Sequence, residues 1–144
     1  MSDDPNQLLH HPFHIQYELQ GMMQELVGIV RHEHELLRAA EHLTMMRERA
    51  AKVKVVGNRE YNPGWHTALD LRHLITVSEA ITMAAIERKE SRGAHFREDY
   101  PQKDEQSGKF NLVIKKDSSG EMKLRKEPIR DMRADIRQII EEMK

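Results

Sequence analysis

Apolar residues recur every three or four positions along most of the 144-residue chain, beginning at Phe13. This period is typical of amphipathic α-helices, and it continues over three long stretches. The apolar positions are Ile15, Leu19, Met22, Leu26 and Ile29, then Leu36, Ala39, Leu43, Met46, Ala50 and Val53, then Leu71, Leu74, Val77, Ile81 and Ala84. Helices with this spacing pack at shallow crossing angles, so we expect an elongated, spectrin-repeat-like three-helix bundle over residues 13–93.

Glycine and proline residues mark where the predicted helices end. The segment from Gly57 to Gly64 interrupts the pattern and predicts a loop. The third helix is expected from Trp65 to Ser91, with Gly93 as its C-cap, because glycine adopts the left-handed conformation at low cost.

The last third of the chain follows a different pattern. Phe110, Leu112 and Ile114 alternate with polar residues, as do Met122 and Leu124, which predicts a β-hairpin. A short helix is expected after Pro128. The fold class is therefore mainly α: the bundle, then a hairpin tail and a C-terminal helix. Residues 1–12 are interpreted as a flexible leader, and residues 94–144 as part of the bundle's own domain.

Composition and charge exclude several classes of protein. The chain has no cysteine, which rules out disulfides, thiolate metal sites and a cysteine nucleophile. The net charge of −1 provides no electrostatic footprint for nucleic acid. No run approaches the roughly 18 apolar residues of a membrane span, and the acidic N-terminus lacks an apolar signal core. We expect a cytoplasmic chain without direct membrane insertion.

Nine histidines raise the possibility of a metal site. Three lie in the leader, at positions 10, 11 and 14, while His32 and His34 flank Glu33. A zinc protease motif requires a second histidine four residues after the first, where this chain has Leu36. Solvated histidines are the favoured interpretation, and a small metal-binding protein is the less favoured alternative.

Nucleotide and catalytic motifs are missing from the sequence. No two glycines are separated by a single residue, so neither a dinucleotide fingerprint nor a phosphate-binding loop is present. Glu141 and Glu142 are adjacent on a predicted helix and diverge in direction, which makes them a poor acid–base pair. We predict no catalytic, cofactor-binding or metal-binding residue within this chain.

The densest polar stretch follows the predicted third helix and supplies the candidate docking motif. Its residues are Ser91, Arg92, Gly93, His95, Arg97 and Asp99. One interpretation is a helix cap followed by a solvated, salt-bridged loop. The other is an element that docks on another domain through charge-assisted hydrogen bonds. On either interpretation, Arg97→Ala is expected to leave the stability of the isolated chain nearly unchanged.

The segment from Ser91 to Pro101 resembles the S-R-G-[AG]-H-x-R-x-D-x-P signature of succinate dehydrogenase and fumarate reductase flavoprotein subunits. Asn62-Pro63-Gly64-Trp65-His66 and Val27-Gly28-Ile29-Val30-Arg31 are similar to other parts of that family's C-terminal helical domain, and Gly108-Lys109-Phe110-Asn111 looks like the tail of one bacterial branch. The resemblance covers residues 13–144.

The resemblance implies a domain of an FAD-dependent enzyme that interconverts succinate and fumarate. It implies that FAD and the substrate are bound outside this chain, which is then non-catalytic on its own. The implied partners are the FAD-binding domain and the iron–sulfur subunit. The complex is expected at the inner face of the cytoplasmic membrane. The isolated chain is expected to self-associate weakly. The alternative is a free-standing helical interaction module.

Overall fold

The computed structural model describes residues 10–143, which form two compact units, residues 10–104 and 105–143. The first unit contains the helices α1 (Pro12–Leu26), α2 (Glu33–Ala51) and α3 (Pro63–Glu87), and the short strands β1 (Val30–Arg31) and β2 (Phe96–Arg97). The second contains β3 (Phe110–Lys116), β4 (Met122–Pro128) and α4 (Ala134–Glu142). The predicted fold class is confirmed. Most of the predicted leader lies outside the described residues, and the assignment of residues 94–144 to the bundle's domain stays a prediction.

Most of the predicted core positions of α1 and α2 are confirmed, but Ala50 is only half-buried and Val53 lies beyond the end of α2. The buried residues are Ile15, Leu19, Met22 and Leu26 in α1, and Leu36, Ala39, Leu43 and Met46 in α2. Ile29 is exposed instead, because α1 ends at Leu26 and the chain turns into β1. Two ion pairs span α2 and its neighbours: Arg49 with Glu18 of α1, and Arg47 with Glu79 of α3.

The predicted core face of α3 is partly wrong. Leu74, Val77 and Ile81 are exposed, whereas Ser78 and Thr82 are buried. The remaining buried side chains of this face are Leu71, Ile75 and Ala85. Because α3 is apolar on two adjacent faces, the period of its apolar residues does not identify the face that packs on α1 and α2. The small hydroxyl residues complete the core-facing row.

The third helix also ends earlier than predicted. α3 begins at Pro63, with the Asn62 side chain accepting a hydrogen bond from the Trp65 N–H, and it ends at Glu87 rather than Ser91. At Arg88 the backbone is extended. Gly93 has the expected positive φ, +60°, but it lies in a tight turn beyond the helix and is not its C-cap.

The two-residue strands β1 and β2 were not predicted, because they are too short to show an alternating pattern. They pair in parallel, with Val30 opposite Phe96 and Arg31 opposite Arg97. The Phe96 and Glu98 N–H groups donate to the Ile29 and Arg31 carbonyls. This pairing fastens the segment that follows α3 to the corner between α1 and α2.

The second unit is an antiparallel hairpin and a helix, as predicted. β3 and β4 pair from Phe110 with Pro128 to Lys116 with Met122. In the connecting turn, Asp117 accepts hydrogen bonds from the Ser119 and Glu121 N–H groups. The apolar side chains of α4 and its flanks are exposed. Among residues 10–143, no helix has the length and apolarity needed to cross a membrane.

Candidate docking site

All six residues of the docking motif lie in residues 88–104, which we call the motif loop. Arg97 is its central residue, and its side chain has no exposed surface. The guanidinium binds Asp99 through both arms, with Nε 2.7 Å from Oδ1 and Nη2 2.6 Å from Oδ2. Nη2 also donates to Glu33 of α2 at 3.1 Å, and Nη1 donates to the Ala85 carbonyl of α3 at 2.9 Å. One side chain therefore joins the motif loop to two helices.

Asp99 is bound at the start of α2 as well as by Arg97. The Glu33 N–H donates to Asp99 Oδ2 at 3.2 Å. A helix N-terminus presents unpaired N–H groups and a partial positive charge, so a carboxylate is stabilised there. The Arg97 hydrogen bonds, helped by these contacts, lower the pKa of Asp99 to about 2.

Glu90 forms a second buried ionic centre, although it lies outside the predicted docking motif. Its side chain has no exposed surface. Both arms of Arg92 donate to it at 3.0 Å, Arg88 donates at 2.5 Å, and the Asp104 N–H donates at 2.9 Å. The hydrogen bonds from Arg92 are the largest of the effects that lower the pKa of Glu90 to about 2, against the cost of burial.

Ser91 connects the backbone of the motif loop. It is buried, and its Oγ accepts from the Arg97 N–H at 2.9 Å and donates to the Tyr100 carbonyl at 2.9 Å. The Ser91 N–H donates to the Gln102 carbonyl. Ser91 therefore joins the start of the motif loop to the residues at and after the C-terminal end of β2.

His95 lies between two groups that determine its protonation. Arg31 Nη1 is 2.6 Å from Nδ1, and the Arg88 carbonyl is 2.9 Å from Nε2. Because arginine only donates and a carbonyl only accepts, the ring is neutral, with its proton on Nε2. Burial, together with the charges of Arg31, Arg97 and Arg88, lowers the pKa of His95.

The interpretation of this stretch as a solvated loop is wrong for its central residues, because Arg97 and Ser91 are buried and fully engaged within the chain. Arg92 and Gly93 are exposed. The docking role of the motif stays a prediction. Four participants were missed: Arg31, Glu33, Arg88 and Glu90. Glu90 adjoins the motif and was open to inference, whereas Glu33 is more than 60 positions away from Arg97 in the sequence.

Gly93 supplies a testable local requirement. Arg92 and His95 exchange backbone hydrogen bonds of 2.8 and 3.1 Å around Gly93 and Ala94, with positive φ only at Gly93. No atom lies within 4 Å of a Cβ built there, so strain arises from the backbone alone. We expect Gly93→Ala to lower the free energy of unfolding by about 1 kcal/mol, and Gly93→Asn by less. Urea denaturation checks this, and equal stability of Gly93→Ala and the parent contradicts it.

The lowered pKa of His95 predicts a pH dependence. The unfolded chain binds the histidine proton more readily than the folded chain, so the stability contribution is complete above pH 6.5 and declines as the pH falls below that value. Protonation places a hydrogen on Nδ1 facing Arg31. His95→Gln keeps an acceptor towards Arg31 and a donor towards the Arg88 carbonyl without titrating.

We therefore expect thermal melting between pH 7.5 and pH 5.5 to depend less on pH in His95→Gln than in the parent chain. His66→Gln, at an exposed histidine of α3, is the matched control and leaves the pH dependence unchanged. Parallel curves for the parent and His95→Gln contradict the assignment.

The described residues do not form a site that suits a metal or a flavin dinucleotide. His32 and His34 touch through their Nδ1 atoms at 2.6 Å, but residues 10–143 contain no group of three or more potential metal ligands. A dinucleotide-binding site typically consists of a strand followed by a helix, and the N-terminus of that helix binds the phosphates. At β1 and α2 that position carries Glu33, Glu35 and Asp99, whose carboxylates repel phosphate. These residues do not fit a flavin dinucleotide.

Comparison with known proteins gives the same family over nearly the whole chain. A family model described as "Fumarate reductase flavoprotein C-term" matches residues 16–140. Succinate dehydrogenase flavoprotein subunit of Coxiella burnetii is 34% identical over 104 residues, covering 72% of this chain and 18% of the relative. L-aspartate oxidase 1 of Ralstonia nicotianae is 40% identical over 88 residues, covering 59% of this chain and 15% of the relative.

A solved structure resembles the fold closely. Mycobacterium smegmatis Sdh1 in complex with UQ1 aligns with a TM-score of 0.84 and 38% identity, covering 91% of this chain and 22% of that chain. This chain thus spans about a fifth of the length of the proteins it matches.

Proposed function

Because the chain belongs to the fumarate reductase flavoprotein C-terminal family, we propose that it is the C-terminal domain of a flavoprotein that interconverts succinate and fumarate. The observation that carries the proposal is the match to Sdh1 over 91% of this chain. In this proposal FAD is held by the remaining four-fifths of the flavoprotein and accepts or returns the hydride of the reaction. The domain provides a packing surface and no reacting group.

The exposed face of α3 supports a packing role. Leu74, Val77 and Ile81 lie at intervals of three and four residues, so they form a stripe along one side of the helix. A helix that is apolar on more than one face is typical of a buried helix, and exposed apolar stripes mark interfaces. We assign this stripe, which we call the α3 stripe, to contact with the FAD-binding domain.

The motif loop has a supporting role in the proposal. Arg97 holds the end of α3 against the start of α2, which keeps the helices in one arrangement. The exposed part of the motif, at Arg92 and Gly93, is the part available for docking. An iron–sulfur subunit is the further partner, and the flavoprotein is placed at the inner face of the cytoplasmic membrane as a peripheral subunit.

Purification of the protein from its source cells tests the proposal. We expect the sequence to occur within a longer polypeptide that contains flavin and reduces an artificial electron acceptor with succinate. If this polypeptide oxidises L-aspartate instead of succinate, we assign the chain to an L-aspartate oxidase like the Ralstonia relative. A 144-residue polypeptide without an associated flavoprotein supports the free-standing interaction module.

The packing role has its own test in the same flavoprotein. We expect Val77→Asp, in the centre of the α3 stripe, to loosen domain packing and lower the melting temperature of the whole flavoprotein. Leu37→Asp is the matched control, because Leu37 is an exposed apolar residue of α2 outside the stripe. Equal effects of the two changes contradict the assignment of the stripe.

A further inference from the structure

A second apolar surface lies around β1 and β2, at the corner where the chain turns from α1 into α2. Ile29, Val30 and Phe96 are 68%, 52% and 40% exposed. Val30 and Phe96 are register partners across the parallel pair, so their side chains project from the same face of it. Apolar residues clustered in this way mark an interaction site more often than scattered ones. We call these three residues and Arg31 the β1 corner.

The backbone at the β1 corner has one open edge. The Ile29 and Arg31 carbonyls point towards β2, where the Phe96 and Glu98 N–H groups occupy them. The Val30 N–H and carbonyl alternate with these and point the other way. Within residues 10–143 neither group of Val30 has a hydrogen-bond partner. An exposed strand edge of this kind is a template for an added strand.

The outer edge of β2, in contrast, is closed. The Arg97 N–H donates to Ser91 Oγ, 2.9 Å away, so the motif loop covers that side. Addition of a strand is therefore possible only beside β1. The two apolar side chains of β1 and its flank, Ile29 and Val30, border this edge.

Arg31 adds a charge requirement to the same corner. Its Nε donates to the Gly28 carbonyl at 2.7 Å and more weakly to the Val27 carbonyl, and its Nη1 donates to His95. Among residues 10–143 no carboxylate binds Arg31, whereas Arg97 and Arg92 both bind carboxylates. A half-buried guanidinium with only neutral acceptors is stabilised by an added anion.

We propose that the β1 corner binds an extended polypeptide segment that carries a carboxylate between apolar side chains. The backbone of the segment pairs with Val30, its apolar side chains extend the face that carries Val30 and Phe96, and its carboxylate projects from the opposite face and binds Arg31. A second copy of this chain suits the corner less well, since pairing two β1 edges across a two-fold axis brings two Arg31 cations together. Only the origin of the bound segment rests on the proposed function, because we place that segment in the FAD-binding part of the flavoprotein.

Two synthetic peptides test the charge and the backbone pairing without altering the protein. The probes are acetyl-Thr-Val-Asp-Val-Thr-amide and its asparagine counterpart, titrated into the ¹⁵N-labelled 144-residue chain. We expect the aspartate peptide to bind about tenfold more tightly, as one charge-assisted hydrogen bond implies. We expect the Val30 amide to show the largest chemical-shift change. Equal binding of the two peptides, or no binding of either, overturns the inference, whatever the outcome for the flavoprotein assays.

Variants localise the effect. Arg31→Gln is expected to remove the preference for the aspartate peptide, while Arg72→Gln, at an exposed arginine of α3, retains it. Val30→Asp keeps Arg31 and is expected to weaken the binding of both peptides, which covers the case in which Arg31→Gln does not fold. If the chain dimerises in sedimentation, Val30→Asp abolishes the dimer and the peptides have no effect, the corner binds a second copy and the proposal is overturned.

Discussion

Arg97→Ala is expected to lower the free energy of unfolding of the 144-residue chain by about 3–5 kcal/mol, the cost of removing one partner from a buried ion pair. The loss follows from four contacts of the side chain: a bidentate pair with Asp99, a bond to Glu33 and a bond to the Ala85 carbonyl. Without the guanidinium, two carboxylates lie close together and the end of α3 loses its link to α2. Urea denaturation followed by circular dichroism measures the effect.

This expectation differs from the one drawn from the sequence alone, in which Arg97→Ala leaves the stability of the isolated chain nearly unchanged, because the sequence does not show that Arg97 is buried. Arg38→Ala is the matched control, because Arg38 is an exposed arginine of α2, and its effect is expected within about 0.5 kcal/mol. Arg97→Lys keeps the charge but not the planar fork, so it is expected to fall between the two. A loss for Arg97→Ala as small as that for Arg38→Ala contradicts the network's role in this fold.

The second large effect is acid destabilisation. The folded chain holds the pKa of Glu90 and that of Asp99 at about 2, from ordinary values of 4.5 and 3.8. The unfolded chain therefore takes up protons first as the pH falls, and stability that is present above pH 5 is lost progressively towards pH 2. The shifts correspond to about 3 kcal/mol for Glu90 and about 2 kcal/mol for Asp99.

Glu90→Gln separates the two contributions. At neutral pH we expect it to destabilise the chain by about 2–3 kcal/mol, because Arg88 and Arg92 lose their carboxylate. Between pH 5 and pH 2, however, its stability is expected to decline less steeply than that of the parent. Glu48→Gln, at an exposed position of α2, serves as the control and keeps the parent's slope. If Glu90→Gln also keeps the parent's slope in chemical denaturation, the carboxylate does not carry the acid sensitivity.

The helices were predictable because their signal is local. In α1 and α2 the spacing of Leu19, Met22, Leu36 and Leu43 identifies the buried face, since polar residues fill the opposite face. The hairpin was predictable for the same reason, as alternation and a turn that ends at Gly120 occur within one short stretch. Because α3 has apolar residues on two faces, its sequence predicts the helix but does not show whether Val77 or Ser78 faces the core.

For the docking motif, the sequence identified the residues but not the positions of their side chains. Its residues were recognisable as a group because they are consecutive, yet the sequence does not show whether Arg97 points into solvent or into the protein. That depends on Glu33 and on the carbonyl of Ala85, which approach only after α2 and α3 have packed. The β1 corner was equally hidden, because the pairing of Val30 with Phe96 joins residues 66 positions apart.

By itself, the sequence determined the helical class, the core faces of α1 and α2, the hairpin and the family, because periodic patterns and contiguous motifs are properties of neighbouring residues. Only the tertiary structure decided that Arg97 and Glu90 are buried, that α3 exposes Val77, and that no carboxylate within residues 10–143 binds Arg31. Burial and ionic pairing depend on elements distant in the chain, and the free energy of a charged side chain is set by the partners that packing brings to it.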